Sequence, residues 1–306
     1  MHTAITIDAL KALDAIDRKG SFAGAATELF RVPSAISYTI QKLEEDLNVS
    51  IFDRTGHKAV LTPAGRYLLE EGRSLLEAAE NLAHTTRQVA QGWETRLRIG
   101  FNSLLPAHCL FTAIEEFYQL GVPVDVQIVE EVFAGAWDAL QSRRVDMIVG
   151  ADQLSKPAGS FATKALGEVS FVFAVAAHHP LARVSEPLTE ASIARFPAAV
   201  AADTSRALPP GHAGIFRQQR TLTVSNIDQK IAVQEAGLGV GWLPLHRIRE
   251  QLGRGSLIAK TTHEPRAAIS IHLARHNEGK GKALMWFWNR LSEDQSIRNW
   301  LQPEHT

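Results

Sequence analysis

Ser34, Ser37, Tyr38 and Thr39 gather four hydroxyls into one short stretch, RVPSAISYTIQKLEEDL, between Arg31 and Leu47. Such a set is not catalytic by itself, because a hydroxyl nucleophile needs an adjacent base. It can exchange hydrogen bonds with base edges and phosphate oxygens. Basic residues nearby suit the same chemistry. Arg31, Arg54, Lys58 and Arg66, with His57 as a weaker member, are candidates for phosphate contact.

Other reactive residue types carry less. Cys109 is the single cysteine, lies in an apolar helical stretch and has no local base, so it reads as a small core residue. His178-His179-Pro180 reads as a turn after a strand, and no Cys/His spacing completes a metal site. Gly237, Gly239 and Gly241 imitate a dinucleotide loop, but they follow a helix and precede a strand, the reverse of the required order. No catalytic residue, metal or cofactor is expected.

Composition sets the frame. A chain of 306 residues with 45% hydrophobic and 21% charged residues can build two or three cores. A net charge of −1 excludes a general polyanion coat but not a local basic edge. A lone cysteine fits a reducing compartment. The N-terminal MHTAITIDALKALDAI lacks the clean apolar run of a signal peptide, and no stretch has membrane-span length, so a cytoplasmic location is expected.

The elements that must position the hydroxyls follow from periodicity and caps. Leu10, Leu13 and Ile16 predict a helix stopped at Gly20, with Ser21 capping the next, shorter one. Pro33 opens a third helix whose Ile36, Ile40, Leu43 and Leu47 form one stripe. Ile51-Phe52 and Val60-Leu61 flank Thr55-Gly56 as a small hairpin. Thr62-Pro63 then starts a long helix in which Leu68, Leu75, Leu82 and Val89 recur every seven residues, a pattern for self-association. From Arg96 strands and helices alternate, which predicts parallel sheets with crossover helices: LRIGF, VDVQIV, VDMIVG, FVFAVA, AAVAA, LTV and VGWL as strands, Pro106 to Tyr118 and AGAWDALQSRR among the helices.

Ala25, Ala26 and Leu29, then Ser34-Ala35-Ile36-Ser37, Ile40, Leu43-Glu44, Leu47, Phe52 and Arg54, with Thr62 and Gly65 before a long helix, resemble the N-terminal domain of LysR-type transcriptional regulators. The likeness continues through FNSLLPAHCL, DALQSRRVDMIVG and GLGVGWLP. It implies a multidomain fold: an α-rich winged helix-turn-helix at 1–61, a long dimerising linker helix at 62–92, and a two-lobed α/β effector-binding domain of periplasmic-binding-protein type at 93–306. Lobe one would span about 96–165 and 268–306, and lobe two about 166–267, with chain returns near Leu166 and Ala267. The implied function is sequence-specific DNA binding under control of a small organic effector. Implied partners are a partly palindromic double-stranded operator, a second copy through the linker helix, a tetramer through the effector domains, and RNA polymerase.

The candidate DNA-binding residues are Arg31, Pro33, Ser34, Ser37, Tyr38, Thr39, Arg54 and Lys58. Pro33 and Tyr38 depart from the family pattern, as do Glu131, Phe133 and Arg143. The acids Glu44, Glu45 and Asp46 are expected to face away from the duplex. Strand ends and helix starts nominate Ser103, Phe133, Asp152, Asp203, Thr204, Ser225 and Asn226 for the effector. An aromatic or carboxylate metabolite fits, an anion being held by N–H groups and hydroxyls without a lysine. The rival reading is a small-molecule-binding protein or enzyme with an α/β core and an incidental helical N-terminus, which would have no need of a wing and a heptad helix.

Overall fold

A computed structural model describes residues 5–53, 59–209, 211 and 214–301, apart from the side chain of Ser296. It divides into two units, Met1–Ala90 and Gln91–Thr306.

In the first unit, α1 (Ile7–Lys19), α2 (Phe22–Glu28) and α3 (Pro33–Leu47) are separated by local stop signals. The Thr6 hydroxyl accepts from the Ala9 N–H, Gly20 ends α1 in the left-handed region, and the Ser21 hydroxyl accepts from Gly24. Leu13, Ile16, Ala25, Ile36, Ile40 and Leu43 meet in one core, each 2% exposed or less. β1 (Phe52–Asp53) and β2 (Val60–Leu61) pair antiparallel, Phe52 opposite Leu61. The turn expected at Thr55-Gly56 lies outside the described residues.

Glu44 does not simply face solvent. Its carboxylate accepts from the Ile51 and Phe52 N–H groups at 2.7 and 3.2 Å, which ties α3 to β1. The Thr62 hydroxyl caps α4 (Pro63–Ala90) by accepting from Gly65 at 3.0 Å. A Cβ on Gly65 would collide with the Ile51 carbonyl, so only glycine lets α4 pack this close. Arg73 of α4 donates to Asp14 and Asp17 of α1 at 2.7 and 2.9 Å. Past that anchor the helix changes character. Leu75, Leu82 and Val89 are 53%, 69% and 50% exposed. The first unit uses Leu69, with half-buried Leu68 against it, for its own core and leaves the rest of the seven-residue stripe in water.

The second unit has two lobes. Lobe one contains β3 (Arg96–Asn102), α5 (Phe111–Tyr118), β4 (Asp125–Glu131), α6 (Gly135–Gln141), β5 (Met147–Asp152) and β6 (Phe161–Val169). The helix expected from Pro106 starts as a 3-10 turn at Ala107–Leu110 before α5. Lobe two contains β7 (Phe171–Ala176), α7 (Glu190–Ile193), β8 (Ala198–Ala201), β9 (Thr221–Val224), α8 (Ile227–Glu235), β10 (Gly241–Pro244), α9 (Arg249–Gly253) and β11 (Leu257–Lys260). The chain returns through β12 (Ile269–His276) to α10 (Lys282–Glu293) and α11 (Gln295–Leu301).

The sheets are mixed rather than parallel throughout. In the order β4-β3-β5-β12-β6, β3 is parallel to β4 and β5, while β12 runs antiparallel to β5 and β6. In lobe two β10 and β11 flank β7 antiparallel, and β8 and β9 pair in parallel. The reason is topological. A chain that enters a lobe along one strand must leave along another running back.

The two crossings between lobes are unequal. Ser170 alone separates β6 from β7, whereas 261–268 separate β11 from β12. Trp137, Leu140 and Ile148 are fully buried on one face of the lobe-one sheet, and Phe117, Phe287 and Leu291 on the other.

Candidate functional site

The exposed and buried sides of α3 are cleanly divided. Ile36, Ile40 and Leu43 are buried, while Ser34, Ser37, Tyr38 and Gln41 are exposed at helical spacing. Pro33 is the first residue of α3 and is also exposed. The hydroxyls are partly used within the helix. Ser37 donates to the Pro33 carbonyl at 3.1 Å, and half-buried Thr39 donates to the Ala35 carbonyl at 2.9 Å. Each hydroxyl oxygen keeps acceptor capacity. Gln41, absent from the sequence-based set, shares the exposed stripe and donates to Glu45 at 2.9 Å. Arg31 is held by Asp8 at 2.8 Å. Arg66 is exposed on α4. Arg54, His57 and Lys58 lie outside the described residues.

In the second unit a cavity of about 210 Å³ opens between the lobes. Of the sequence-nominated residues it brings together Ser103, Phe133 and Asp152. Gly211 and Ile227 of lobe two, Arg266 of the connection and Ile269 at the start of β12 complete the lining. Asn102 joins the lining, and its side chain accepts from the Leu104 N–H at 3.0 Å. Sequence reasoning missed Asn102, Leu154, Ser155, Ile227, Arg266 and Ile269. The first follows the strand-end rule already applied to Ser103. Arg266 sits in an unpatterned connection, where no local signal marks it.

Arg266 is the notable addition to the cavity. Its guanidinium lies 3.7 Å from the ring centroid of Phe171. Among the described residues it has no carboxylate partner. Burial pulls it down to about 10, so it remains a cation at neutral pH. Lys230 is 5% exposed and donates to the Trp242 carbonyl at 2.8 Å. Burial, and then the Arg266 charge, brings Lys230 down to about 7.

The remaining nominated residues clasp the lobes or cap a helix instead of lining the cavity. The Asp203 carboxylate accepts from Ala134 and Gly135 at 3.2 and 3.1 Å, from Ser205 at 2.7 Å, and from Gly211. The Thr204 hydroxyl donates to Glu131 and accepts from the Val132 N–H at 3.0 Å. A Cβ on Gly135 would strike that hydroxyl. Asn226 caps α8 by accepting from Gln229 at 3.0 Å and donates to Glu130 of lobe one at 3.0 Å. Ser225 is exposed, its N–H donating to the Gln229 side chain at 2.9 Å.

Asp138 is the centre of the clasp. It is 2% exposed, yet accepts from the N–H groups of Arg206, Ala207 and Leu208 at 3.1, 2.8 and 3.0 Å. Arg144 binds it at 2.9 Å and binds Glu131 at 2.7 Å. A second clasp sits beside Ser103. Arg247 donates to the Ser103 carbonyl at 2.7 Å, and the His246 ring lies 2.9 Å from the Leu104 carbonyl. Burial pulls His246 down to about 4, so it is neutral at pH 7 and donates one N–H there.

Burial acts to raise the Asp138 carboxyl, but the N–H groups of Ala207 and Leu208, Arg144, and the N–H of Arg206 together hold it at about 2, against an ordinary 3.8. A depressed carboxyl stabilises the native state fully above its unfolded value and loses that contribution as it protonates. The Asp138 contribution is therefore complete above about pH 4 and drains between about pH 4 and pH 2. Asp138→Asn would set an NH₂ group against the N–H donors and Arg144. It is expected to cost about 3 kcal/mol at pH 7 in urea unfolding. The difference between variant and native chain should shrink from pH 4 to pH 2, and a constant difference would show that the carboxylate charge is not what counts.

Residues 7–66 match the bacterial regulatory helix-turn-helix protein, lysR family, model, and residues 90–296 match the LysR substrate binding domain. The chain is 39% identical over 285 residues to the probable HTH-type transcriptional regulator YhaJ of Escherichia coli (strain K12), covering 92% of this chain and 94% of that protein. It is 33% identical over 299 residues to the HTH-type transcriptional regulator PunR of the same organism, covering 97% and 96%. A mutant of Corynebacterium glutamicum OxyR shares the fold, with a TM-score of 0.60 at 19% identity over 97% of this chain and 94% of that one. The fold, the split faces of α3 and these matches across nearly the whole length agree: this chain belongs to the LysR family of bacterial helix-turn-helix transcriptional regulators.

Proposed function

We propose that the chain binds a partly palindromic operator as a dimer and responds to a small carboxylate held between its lobes. Residues 1–61 act as the DNA-binding domain, 62–92 as the dimerising linker, and 93–306 as the effector domain. The front of α3 enters the major groove, where Ser34, Ser37 and Tyr38 face base edges and Pro33 and Thr39 flank them. Arg31, Arg54 and Lys58 meet phosphate. Leu75, Leu82 and Val89 cover one another across paired α4 helices. Association through the effector domains, giving a tetramer, and contact with RNA polymerase complete the assembly. Among the described residues no helix is long and apolar enough to cross a membrane.

The observation that carries the effector assignment is Arg266. A cation on the cavity wall, stacked on Phe171 and without a carboxylate partner among the described residues, favours an anionic ligand. Size narrows the class, since a cavity of about 150 Å³ is known to hold benzene. About 210 Å³ fits one ring or a short aliphatic chain plus a carboxylate. Ser103, Asn102 and Ser155 supply polar groups, and Phe133, Leu104 and Ile227 pack the apolar body. The sequence-based expectation of N–H groups and hydroxyls alone is thus replaced by an arginine anchor. Asp203, Thr204 and Asn226 act indirectly, by holding the lobes around the ligand.

Three measurements test this. Ser37→Glu places a negative charge at the groove while its exposed position preserves folding, so gel shifts should lose specific binding with an unchanged circular dichroism spectrum. Normal operator binding by Ser37→Glu would remove the groove assignment. Leu75→Asp should convert a sedimenting dimer to monomer, because a charge in an apolar seam costs several kcal/mol. A wild-type chain that stays monomeric at micromolar concentration defeats the linker assignment. Thermal shifts with a panel of small aliphatic and aromatic carboxylates, each beside its amide, should show stabilisation by acids only. Arg266→Gln should weaken the best acid by about tenfold to a hundredfold, the loss of one charge-assisted pair. Equal response to the amides, or unchanged affinity in Arg266→Gln, would place the anion elsewhere.

A further inference from the structure

Phe30 occupies the position just after α2, with φ of 54°. The Phe30 N–H donates to Thr27 and the Arg31 N–H to Ala26, so the turn is fixed by backbone hydrogen bonds. Glycine or asparagine suits this left-handed position, and an aromatic residue strains it. The ring gains nothing from the fold in return, being 97% exposed. Val32, which caps α3, is 62% exposed, and Tyr38 on the exposed stripe of α3 is 68% exposed. Three apolar side chains thus flank the front of one helix without packing on it. A strained backbone combined with a ring left in water indicates a partner outside the unit.

Some of the donors beside them already have a partner inside the chain. Arg31 is bound to Asp8, Ser37 and Thr39 donate to helix carbonyls, and Gln41 donates to Glu45. The exposed hydroxyls of Ser34 and Tyr38 and the Lys42 ammonium remain for acceptor edges, whereas Phe30 and Val32 have no polar side-chain group to offer. The major groove displays one apolar group, the C5 methyl of thymine. The geometry points to thymine-methyl readout, with Phe30, Val32 and Tyr38 as the specificity-determining residues of the operator half-site. This rests on the placement of α3 in the groove.

The test uses the full-length chain and duplexes it selects from a random pool. Deoxyuridine in place of thymine removes the methyl and keeps the pairing edge. Each methyl covered by the protein should weaken binding by about fourfold when removed. Phe30→Asn and Tyr38→Ala should bind the thymine and uracil duplexes alike. Phe30→Asn should also melt at least as high as the native chain, because asparagine relieves the left-handed strain. A native chain indifferent to uracil overturns the inference, as does undiminished methyl sensitivity in both variants. Failure to select any duplex would instead remove the groove placement of α3, and this inference with it.

Discussion

One buried carboxylate determines how the second unit is put together. Asp138 lies on α6 of lobe one, and three of its partners are backbone N–H groups of residues 206–208, carried by lobe two. A charge 2% exposed must be matched, and Arg144 matches part of it while also holding Glu131. The rest has to come from across the gap. The segment from Asp203 to Leu208 is therefore pinned against lobe one, and Gly211, which lines the cavity, donates to Asp203 of that segment. Glu131 and Gly135 serve the same end, one by accepting from Thr204 and the other by having no Cβ to block it.

This explains why residues chosen for ligand chemistry divide as they do. Asp203, Thr204 and Asn226 have the types and positions of anion or sugar ligands at helix starts. Their atoms are taken by Ala134, Gly135, Glu131 and Glu130. The cavity wall falls instead to Ser103, Phe133 and Asp152, joined by Arg266. Clasp and cavity share Gly211 and the Phe133 segment, so the cavity wall and the interlobe clasp are physically joined.

The first unit was largely legible because its signals are local. Gly20, Ser21, Pro33 and Thr62 act on neighbours within a few residues, and the structure places helix boundaries at each. The heptad of α4 was equally plain, and Leu75, Leu82 and Val89 are exposed along it. The strands of the second unit were legible as elements, but their directions were not. Alternation with helices suggested parallel pairing, and only the return of the chain through β12 makes the sheet mixed. Arg266 and the Asp138 clasp depend on residues far apart in sequence, about seventy positions in the latter case, which no window resolves. Phe30 was missed for another reason. Its oddity is a backbone angle, and residue type alone does not reveal it.

The unequal crossings have a mechanical meaning. A connection of one residue, Ser170, cannot lengthen, so it is a fulcrum. The connection at 261–268 is longer; residues 261–263 are bound to 186–188 of lobe two, and what slack it has lies in 264–268. Rotation of one lobe against the other must then turn about Ser170, with displacement growing along a lever arm toward the slack side. Arg266 lies on the part that travels, and its stacking ring, Phe171, is the first residue past the fulcrum. A ligand that gripped Arg266 would therefore act beside the fulcrum, where the arm is short, and a small shift of one guanidinium would be magnified at the far edge of the lobe.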